Sequence, residues 1–316
     1  MLEIRLGAGI GHAVSLPTLA LVGLYIGYIA GMFGVGGGFL LTPMLIYLFR
    51  VPAPIAVGSA LCQKCGTSIA SFLKYRSLKR GEPRIDLVMI GGSLLGVDAG
   101  TRLLAYLSDL GQWRIGAGPP VPAVRVVLDI LFIFLLSFTA YYTFRDAWEA
   151  RLRVVPRGDR TIPGPLVTRV RIPPYIDLPN VQLKQVSVPM LCYIGFLLGM
   201  ASGLMGIGGG VLFMPILLYG FGLSVRNAAG TGVLMLFVTV VVGTVEQAFH
   251  TTADGHNYVN LRLAMAILIG SSIGSQLGAL TTHYLPNRIL RLIFALLVAS
   301  TVVMIAWDLA GLLRGS

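Results

Sequence analysis

Lys64 places an ionisable side chain inside an otherwise largely apolar segment, residues 53–75. A charge at membrane depth is costly, so residues of this kind usually serve a function. An ammonium group there could bind an anion, or Lys64 could lie near the membrane surface and extend its amine to water. The residues expected to add hydrogen bonds to an anion are Ser59, Gln63 and Thr67 on the same segment and Asn227 and Thr231 in the comparable stretch further along the chain.

Two glycine runs interrupt apolar segments, GVGGG at residues 34–38 and GIGGG at 206–210. Glycine permits backbone conformations and close approaches that other residues exclude. A helix that restarts after such a run begins with unpaired N–H groups at the positive end of its dipole, which favours anions. The alternative is that the glycines only allow close helix packing. The glycines expected to bind substrate are Gly34, Gly36, Gly37, Gly38, Gly206, Gly208, Gly209 and Gly210.

Ion pairs within the spans are candidates for gating or coupling. Asp98 and Arg102 are one helical turn apart and are expected to pair, with a structural, gating or coupling role. Arg125 and Asp129 have the same spacing and are also expected to pair. A proton is the candidate coupling ion. The remaining residues assigned to gating or coupling are Glu246 and Gln276.

The residues that enzymes and metal sites need are sparse. The cysteines Cys62, Cys65 and Cys192 are too few for a disulfide framework and lack the second pair of a zinc site. The four histidines lie near segment ends. Neither glycine run fits the dinucleotide fingerprint, and no phosphate-binding GxxxxGK[ST] motif occurs. We therefore expect no enzyme activity, no metal and no cofactor.

The composition is that of a membrane protein. Of the 316 residues, 55% are hydrophobic and only 12% are charged, which is about half the charge of a soluble domain. Apolar runs such as 126–140 and 263–280 are typical of transmembrane helices. The net charge of +11 is concentrated in particular loops, where it sets membrane topology rather than indicating nucleic-acid binding.

The chain contains two related halves. The glycine run at 34–38 with Pro43 matches the run at 206–210 with Pro215 at one fixed offset. A glycine ladder at positions 92, 96 and 100 returns at 270, 274 and 278 with a slightly larger offset. The assigned regions are a first membrane repeat at 1–145, a basic and Pro-rich linker at 146–186 and a second membrane repeat at 187–316.

The basic residues indicate that the second repeat is inverted relative to the first. The loop KYRSLKRGEPR, which begins at Lys74, carries five Lys or Arg, whereas the equivalent loop HTTADGHNYVN carries none. By the positive-inside rule the first loop is cytoplasmic, the second is outside and the central linker is cytoplasmic. Equivalent loops on opposite faces of the membrane mean an inverted repeat.

Inversion requires each half to cross the membrane an odd number of times. Three later segments in each half already supply three crossings, so the opening segments 14–50 and 187–221 must fold back. Each would otherwise form a helix about 55 Å long, against a hydrocarbon core of about 30 Å. We therefore predict an all-α polytopic membrane protein with five membrane helices in each half, the first broken from a short second helix at the glycine run.

The motifs resemble those of a known family. The glycine runs followed by proline, the AVGSA and AAGTG sequences that open the next helices and the later glycine ladder resemble the TauE/SafE sulfite exporters, also called toluene-sulfonate uptake permeases. The resemblance covers nearly the whole chain apart from the central linker. It implies transport of sulfur-containing anions such as sulfite, sulfoacetate and aryl sulfonates. The chain departs from the usual GTS of that family at Gly58, Ser59 and Ala60, and carries CQKC at 62–65.

These features predict a secondary transporter of the prokaryotic inner membrane. It would bind a small sulfur-containing anion near the bilayer midplane, between two glycine-broken helices. The alternatives are transport of another small anion, such as a carboxylate or thiosulfate, and service as a membrane subunit of a larger complex. The expected partners are the anion, the lipid bilayer and protons. The direction of transport and the oligomeric state stay open.

The predicted topology can be tested by labelling single cysteines from either side of oriented vesicles, in a chain whose native cysteines are replaced. Cysteines in 76–84 and in 146–185 should react from the cytoplasmic side, and those in 250–258 from the outside, because Lys and Arg are retained in the cytoplasm. Labelling of 76–84 and 250–258 from the same side would contradict the inversion.

Overall fold

The computed structural model describes residues 3–4, 14–33, 38–77, 82–113, 121–152, 172–179, 183–208, 210–223, 225–251 and 257–314. Over these residues the chain is helical apart from short hairpins, and six helices are long and apolar enough to cross a membrane. The prediction of an all-α polytopic membrane protein is confirmed.

The first half begins with a helix that ends at Phe33, directly before the glycine run. The next helix begins at Gly38, and a π-helical turn at Met44–Leu48 follows it directly. Helix α5 continues past residue 145 into the region assigned to the linker. The helices of this half are α1 at Leu16–Phe33, α2 at Gly38–Pro43, α3 at Ala53–Ser77, α4 at Pro83–Asp109 and α5 at Ala123–Leu152.

The second half repeats this order with one further break. A π-helical turn at Ile216–Gly220 again follows the short helix. The counterpart of α3 is split, because Gly232 adopts a left-handed φ of +92° where the continuous α3 carries Ala60. The helices are α6 at Val188–Met205, α7 at Gly210–Pro215, α8 at Val225–Gly230, α9 at Val233–Ala248, α10 at Leu261–Tyr284 and α11 at Asn287–Arg314.

Short antiparallel hairpins connect some of the helices. In each, two strands pair without joining a larger sheet. The last hairpin packs Leu178 and Leu183 into the interior just before α6 begins. The strands are β1 at Glu3–Ile4 with β2 at Val14–Ser15, β3 at Gln112–Trp113 with β4 at Val121–Pro122, and β5 at Tyr175–Leu178 with β6 at Leu183–Ser187.

Two glycine-lined helix pairs hold the halves together. Helix α1 packs along α10, and α4 packs along α6. Gly27 and Gly274 in the first pair, and Gly96 and Gly199 in the second, lie so close to the facing backbone that an added methyl group would overlap it. Small residues allow such close approach between membrane helices. The glycine ladder is thus a packing surface, and each half of the chain contributes one, on α4 and on α10.

The contacts also give the relative directions of the helices. Gly23 of α1 faces Ile267 of α10 and, further along, Gly31 faces Ser275, so these two helices are parallel. The equivalent contacts of α4 with α6 are parallel as well. Helices α5 and α11, which occupy equivalent places in the two halves, pack together with the start of one against the end of the other.

The glycine packing can be tested with two neighbouring residues of α4. Gly92→Ala should destabilise the protein, because a Cβ there would overlap the backbone of Cys192 in α6. Gly91 has nothing within 4 Å of its ideal Cβ, so Gly91→Ala should be neutral or stabilise by about 0.4–1 kcal/mol through helix propensity. Thermal unfolding in detergent measures both, and equal melting temperatures for the two variants would contradict the packing account.

Candidate substrate site

The glycine break of the second half has a left-handed backbone. Gly206 ends α6 with φ +67°, and its N–H donates to the carbonyl of Ser202 at 2.9 Å. Gly208 follows with φ +74°, and α7 restarts at Gly210. Side-chain-bearing residues rarely adopt these angles. Only glycine therefore allows the chain to turn here without strain.

Lys64 lies directly against this break. Its side chain is 0% exposed, and its Nζ donates a hydrogen bond to the carbonyl of Gly206. Thr42 of α2 donates to the same carbonyl at 3.4 Å. A Cβ on Gly208 would lie 3.3 Å from Cδ of Lys64, so the lysine stem packs on the glycine run itself. Among the described residues, Lys64 forms no ion pair with a carboxylate.

The other polar residues of α3 face in different directions. Thr67 donates to the carbonyl of Lys64 at 3.3 Å, which is a bond within its own helix. Gln63 turns to α10, where its Nε2 donates to Oγ of Ser271 at 2.5 Å. The Gln63 Oε1 atom is buried and has no hydrogen-bond partner in the described part of the chain. Gln63 therefore keeps one free acceptor in the interior, whereas Thr67 is occupied by its own backbone.

Ser59 and Thr231 make equivalent contacts in the two halves. The backbone N–H of Asn260, which caps α10, donates to Oγ of Ser59 at 2.9 Å. The N–H of Glu82, which caps α4, donates to Oγ1 of Thr231 at 2.9 Å. A hydroxyl that accepts in this way keeps its own hydrogen for another acceptor. Asn227 is partly buried in α8, and its backbone carbonyl accepts the N–H of Thr231 at 2.9 Å.

The broken helices are capped at equivalent carbonyls. Tyr75 donates its hydroxyl to the carbonyl of Gly31 at 2.8 Å, near the end of α1. Gln247 donates its Nε2 to the carbonyl of Gly203 at 2.9 Å, near the end of α6. The two donors, like the two acceptors, are related by the offset that relates the glycine runs. The repeat therefore conserves the position of the cap while changing the residue that supplies it.

The residues assigned to gating lie away from Lys64. Asp98 and Arg102 form the predicted ion pair at 2.9 Å, with side chains 46% and 76% exposed. Glu246 is half-buried and lies within electrostatic reach of both. Gln276 is exposed on α10. These side chains are wholly or partly exposed at the surface of the protein, and none of them contacts the described residues of the glycine break.

Some predicted residues lie outside the described residues. These are Gly34, Gly36, Gly37 and Gly209. Gly38 and Gly210 are the first residues of α2 and α7, and these two short helices contact each other. Within the described part of the chain no three His, Cys, Asp or Glu side chains are grouped as a metal site requires.

Two polar residues at or near the helix breaks, Thr42 and Asp86, were missed from the sequence. Thr42 precedes Pro43 in the short helix and could have been noticed as a polar residue next to the run. Asp86 is 2% exposed and accepts the N–H groups of Gly232 and Leu234, so a carboxylate of the protein already occupies the start of α9. The sequence shows Asp86 inside an apolar segment, but it does not show that Asp86 lies next to Gly232 and Leu234.

The predicted pairing of Arg125 with Asp129 is wrong. Arg125 instead bonds to Asp308 of α11 at 2.6 Å, and Asp129 accepts a hydrogen bond from Tyr47. Correct spacing on one helix allowed the pair, but partners on neighbouring helices compete for both side chains. Spacing within a helix cannot reveal those partners.

Comparison with known proteins places the chain in one family. The profile described as "Sulfite exporter TauE/SafE" matches residues 19–305. The probable membrane transporter protein YunE of Bacillus subtilis is 24% identical over 298 residues, which cover 90% of this chain and 95% of that protein. The probable membrane transporter protein MJ0441 of Methanocaldococcus jannaschii is 24% identical over 291 residues, which cover 89% of this chain and 91% of that protein. No solved structure matches the chain.

The contact between the glycine run and Lys64 can be tested against a glycine of equal strain elsewhere. Gly208 and Gly111 have φ of +74° and +77°, so alanine at either should destabilise the fold by roughly 1–2 kcal/mol. Only Gly208→Ala should also weaken binding of sulfoacetate, because only its Cβ meets Lys64, whereas Gly111 has open space. Calorimetry on purified protein measures the binding. Equal affinities in the two variants would separate the glycine run from the substrate site.

Proposed function

The chain belongs to the TauE/SafE sulfite exporter family, a family of membrane transporters, and we propose that it is a secondary transporter for a small sulfur-containing anion such as sulfite or an organosulfonate. The anion binds beside the second glycine break, next to Lys64. The protein acts by binding and moving the anion, without chemistry on it and without a cofactor. The relatives named as probable membrane transporters support the class of activity, and the family description supports the class of substrate.

The observation that carries the proposal is the burial of Lys64 without a carboxylate partner among the described residues. An ammonium group that is fully buried with no carboxylate partner carries a desolvation penalty of several kcal/mol. A bound anion would compensate that charge. The lysine amine has three donors, so it can keep its bond to Gly206 and still donate to the anion. Thr42 donates to the same carbonyl, and its hydroxyl can donate to the anion instead.

The inverted repeat gives this site its place in a transport cycle. Two observations support inversion: the asymmetry of Lys and Arg between equivalent loops, and the start-to-end packing of the equivalent helices α5 and α11. In inverted transporters the two halves move relative to each other around a fixed site between them. The contact between α2 and α7 lies where the halves meet.

The same reasoning gives the orientation. The protein spans the prokaryotic inner membrane several times, with the central linker and the basic loop after α3 in the cytoplasm. A proton is the proposed coupling ion. The domain boundaries follow the repeat, with membrane regions at 1–145 and 187–316 on either side of the linker at 146–186.

The proposed function is tested by reconstituting the full chain in liposomes and measuring uptake from a panel of sulfite, thiosulfate, sulfoacetate, sulfate and acetate. The proposal expects saturable uptake of sulfite or sulfoacetate that acetate does not inhibit. Uptake of acetate alone would assign the site to carboxylates. Absence of transport for the whole panel, with activity appearing only when an ATPase is supplied, would make the chain a subunit of a larger complex.

Lys64→Met should weaken sulfoacetate binding because it keeps the length of the side chain and removes the charge. Loss of a charge-assisted hydrogen bond corresponds to about 1.5–3 kcal/mol, or roughly ten- to a hundredfold in affinity. The matched control is Lys74→Met, the same change at a partly exposed position at the end of α3. It should bind like the parent in calorimetry at fixed salt concentration.

The two variants also separate binding from structure. Thr42 still bonds to the Gly206 carbonyl in Lys64→Met, so the variant should remain folded in the absence of anion. Parental affinity in Lys64→Met combined with a lowered melting temperature would show that Lys64 is only a helix cap.

A further inference from the structure

A second cluster of charged residues lies between α5, α11 and the π-helical turn that follows α2, with Asp129 buried and Arg125 and Asp308 partly exposed. It consists of Asp129 and Arg125 on α5, Asp308 on α11 and Tyr47 in the turn. None of these residues belongs to the substrate site around Lys64. Asp129 is 0% exposed although it lies inside a membrane span, at Ala123–Arg145.

Only one of the two oxygens of the Asp129 carboxylate has a hydrogen-bond partner among the described residues. Tyr47 donates its hydroxyl to Oδ1 of Asp129, while Oδ2 is buried and has no hydrogen-bond partner among the described residues. Arg125 bonds to Asp308 with 2.6 Å between Nη2 and Oδ2, and its buried Nε has no hydrogen-bond partner among the described residues. Its guanidinium carbon also lies 5.6 Å from the centre of the Tyr47 ring. Among the described residues, Arg125 is the cation that interacts with both Asp129 and Asp308, but it forms an ion pair only with Asp308.

The charges around Asp129 do not balance. The charged groups within electrostatic reach of Asp129 are Arg125 on its own helix and Asp308 on α11, and the titratable Tyr47 faces it from the turn. Helix α7 also packs on α5, but its sequence GVLFMP has no titratable residue. No group of α4, which packs on α5 as well, adds to this set in the described residues. With every group ionised except the phenol, the cluster carries one net negative charge, and Asp129 is its fully buried member.

We propose that Asp129 is a proton-binding site of the transporter and that Tyr47 transmits its protonation to the glycine-broken helix of the first half. A proton on Oδ2 converts the carboxylate to a neutral acid and brings the cluster to zero net charge. The proton comes from and returns to water, and no other bond changes. This assigns proton coupling to Asp129 rather than to the exposed Asp98–Arg102 pair.

A proton fits this site better than a metal cation. Sodium or calcium would need several oxygen ligands around it, whereas the cluster offers one free carboxylate oxygen. Arg125, which interacts electrostatically with the same carboxylate, also repels a second cation. A proton needs only one lone pair and no coordination shell.

Tyr47 connects the proton to the substrate site through the backbone. The hydrogen bond from Tyr47 is stronger to an ionised than to a neutral acceptor, so protonation of Asp129 loosens the hold on the turn. That turn is continuous with α2, whose Thr42 bonds to the carbonyl of Gly206 beside Lys64. Binding of a proton at Asp129 can thus alter the contacts of the break that holds the anion. This transmission depends on the proposed function, whereas the proton site itself does not.

The proton site is tested by infrared spectroscopy of the purified full chain during a pH titration, without any substrate. The parent should show the carbonyl band of a protonated carboxylic acid that grows as the pH falls, and Asp129→Asn should lack it. Asn resembles the neutral acid and still accepts from Tyr47, so this variant should fold. If it does not fold, Asp129→Glu should retain a titrating band with a changed frequency. A band unchanged in these variants, or a band that responds to sodium rather than to pH, overturns the proposal.

Coupling is tested in liposomes that carry a gradient of one pH unit, with sulfoacetate as the probe. One proton moved with each anion gives about tenfold greater accumulation, and Asp129→Asn should abolish this gain. Tyr47→Phe should keep the infrared band but lose the effect of the gradient, because the proton still binds and its link to the turn is gone.

Asp98→Asn is the comparison at the exposed pair and should remain coupled. Loss of coupling in Asp98→Asn with coupling retained in Asp129→Asn overturns the assignment. Absence of sulfoacetate transport in the parent, with the Asp129 band present, contradicts the proposed substrate and leaves the proton site supported.

Discussion

Backbone carbonyls that are freed where a membrane helix breaks must find hydrogen-bond donors inside the protein, since lipid supplies none. Next to the two glycine runs, side chains from other helices meet this requirement. Tyr75 covers Gly31, Gln247 covers Gly203, and Lys64 together with Thr42 covers Gly206. These donors can reach their carbonyls only if the helices approach closely. The glycine ladders between α1 and α10 and between α4 and α6 provide that approach.

The two halves share a backbone but differ in chemistry. The positions that match Lys64 and Thr42 in the second half are Leu236 and Met214, both buried and apolar. A charge is therefore supplied from the first half to the break of the second half and has no described counterpart in the reverse direction. A repeat that is symmetric in packing thus becomes asymmetric in binding. One anion beside one lysine follows from this difference more naturally than two equivalent sites.

Local patterns predicted the features that depend on local physics. Glycine runs in segments too long for one crossing predicted the helix breaks, and one-turn spacing predicted the Asp98–Arg102 pair. Contacts between distant parts of the chain were not accessible in this way. The carboxylate of Asp86 at the start of α9 and the choice of Asp308 by Arg125 depend on which helices pack together. The substrate role of Lys64 was suggested by its type, but its lack of a carboxylate partner appeared only in three dimensions.

The central claim is that Lys64 is buried without a carboxylate because an anion is its partner. The most direct measurement is an electron cryo-microscopy structure of the full chain in lipid nanodiscs with saturating aryl sulfonate, whose shape distinguishes it from water. The account predicts density for the sulfonate within hydrogen-bonding distance of Nζ of Lys64, beside Gly206 and Gly208. A sulfonate bound elsewhere, with Lys64 bonded to the Gly206 carbonyl alone, would contradict it.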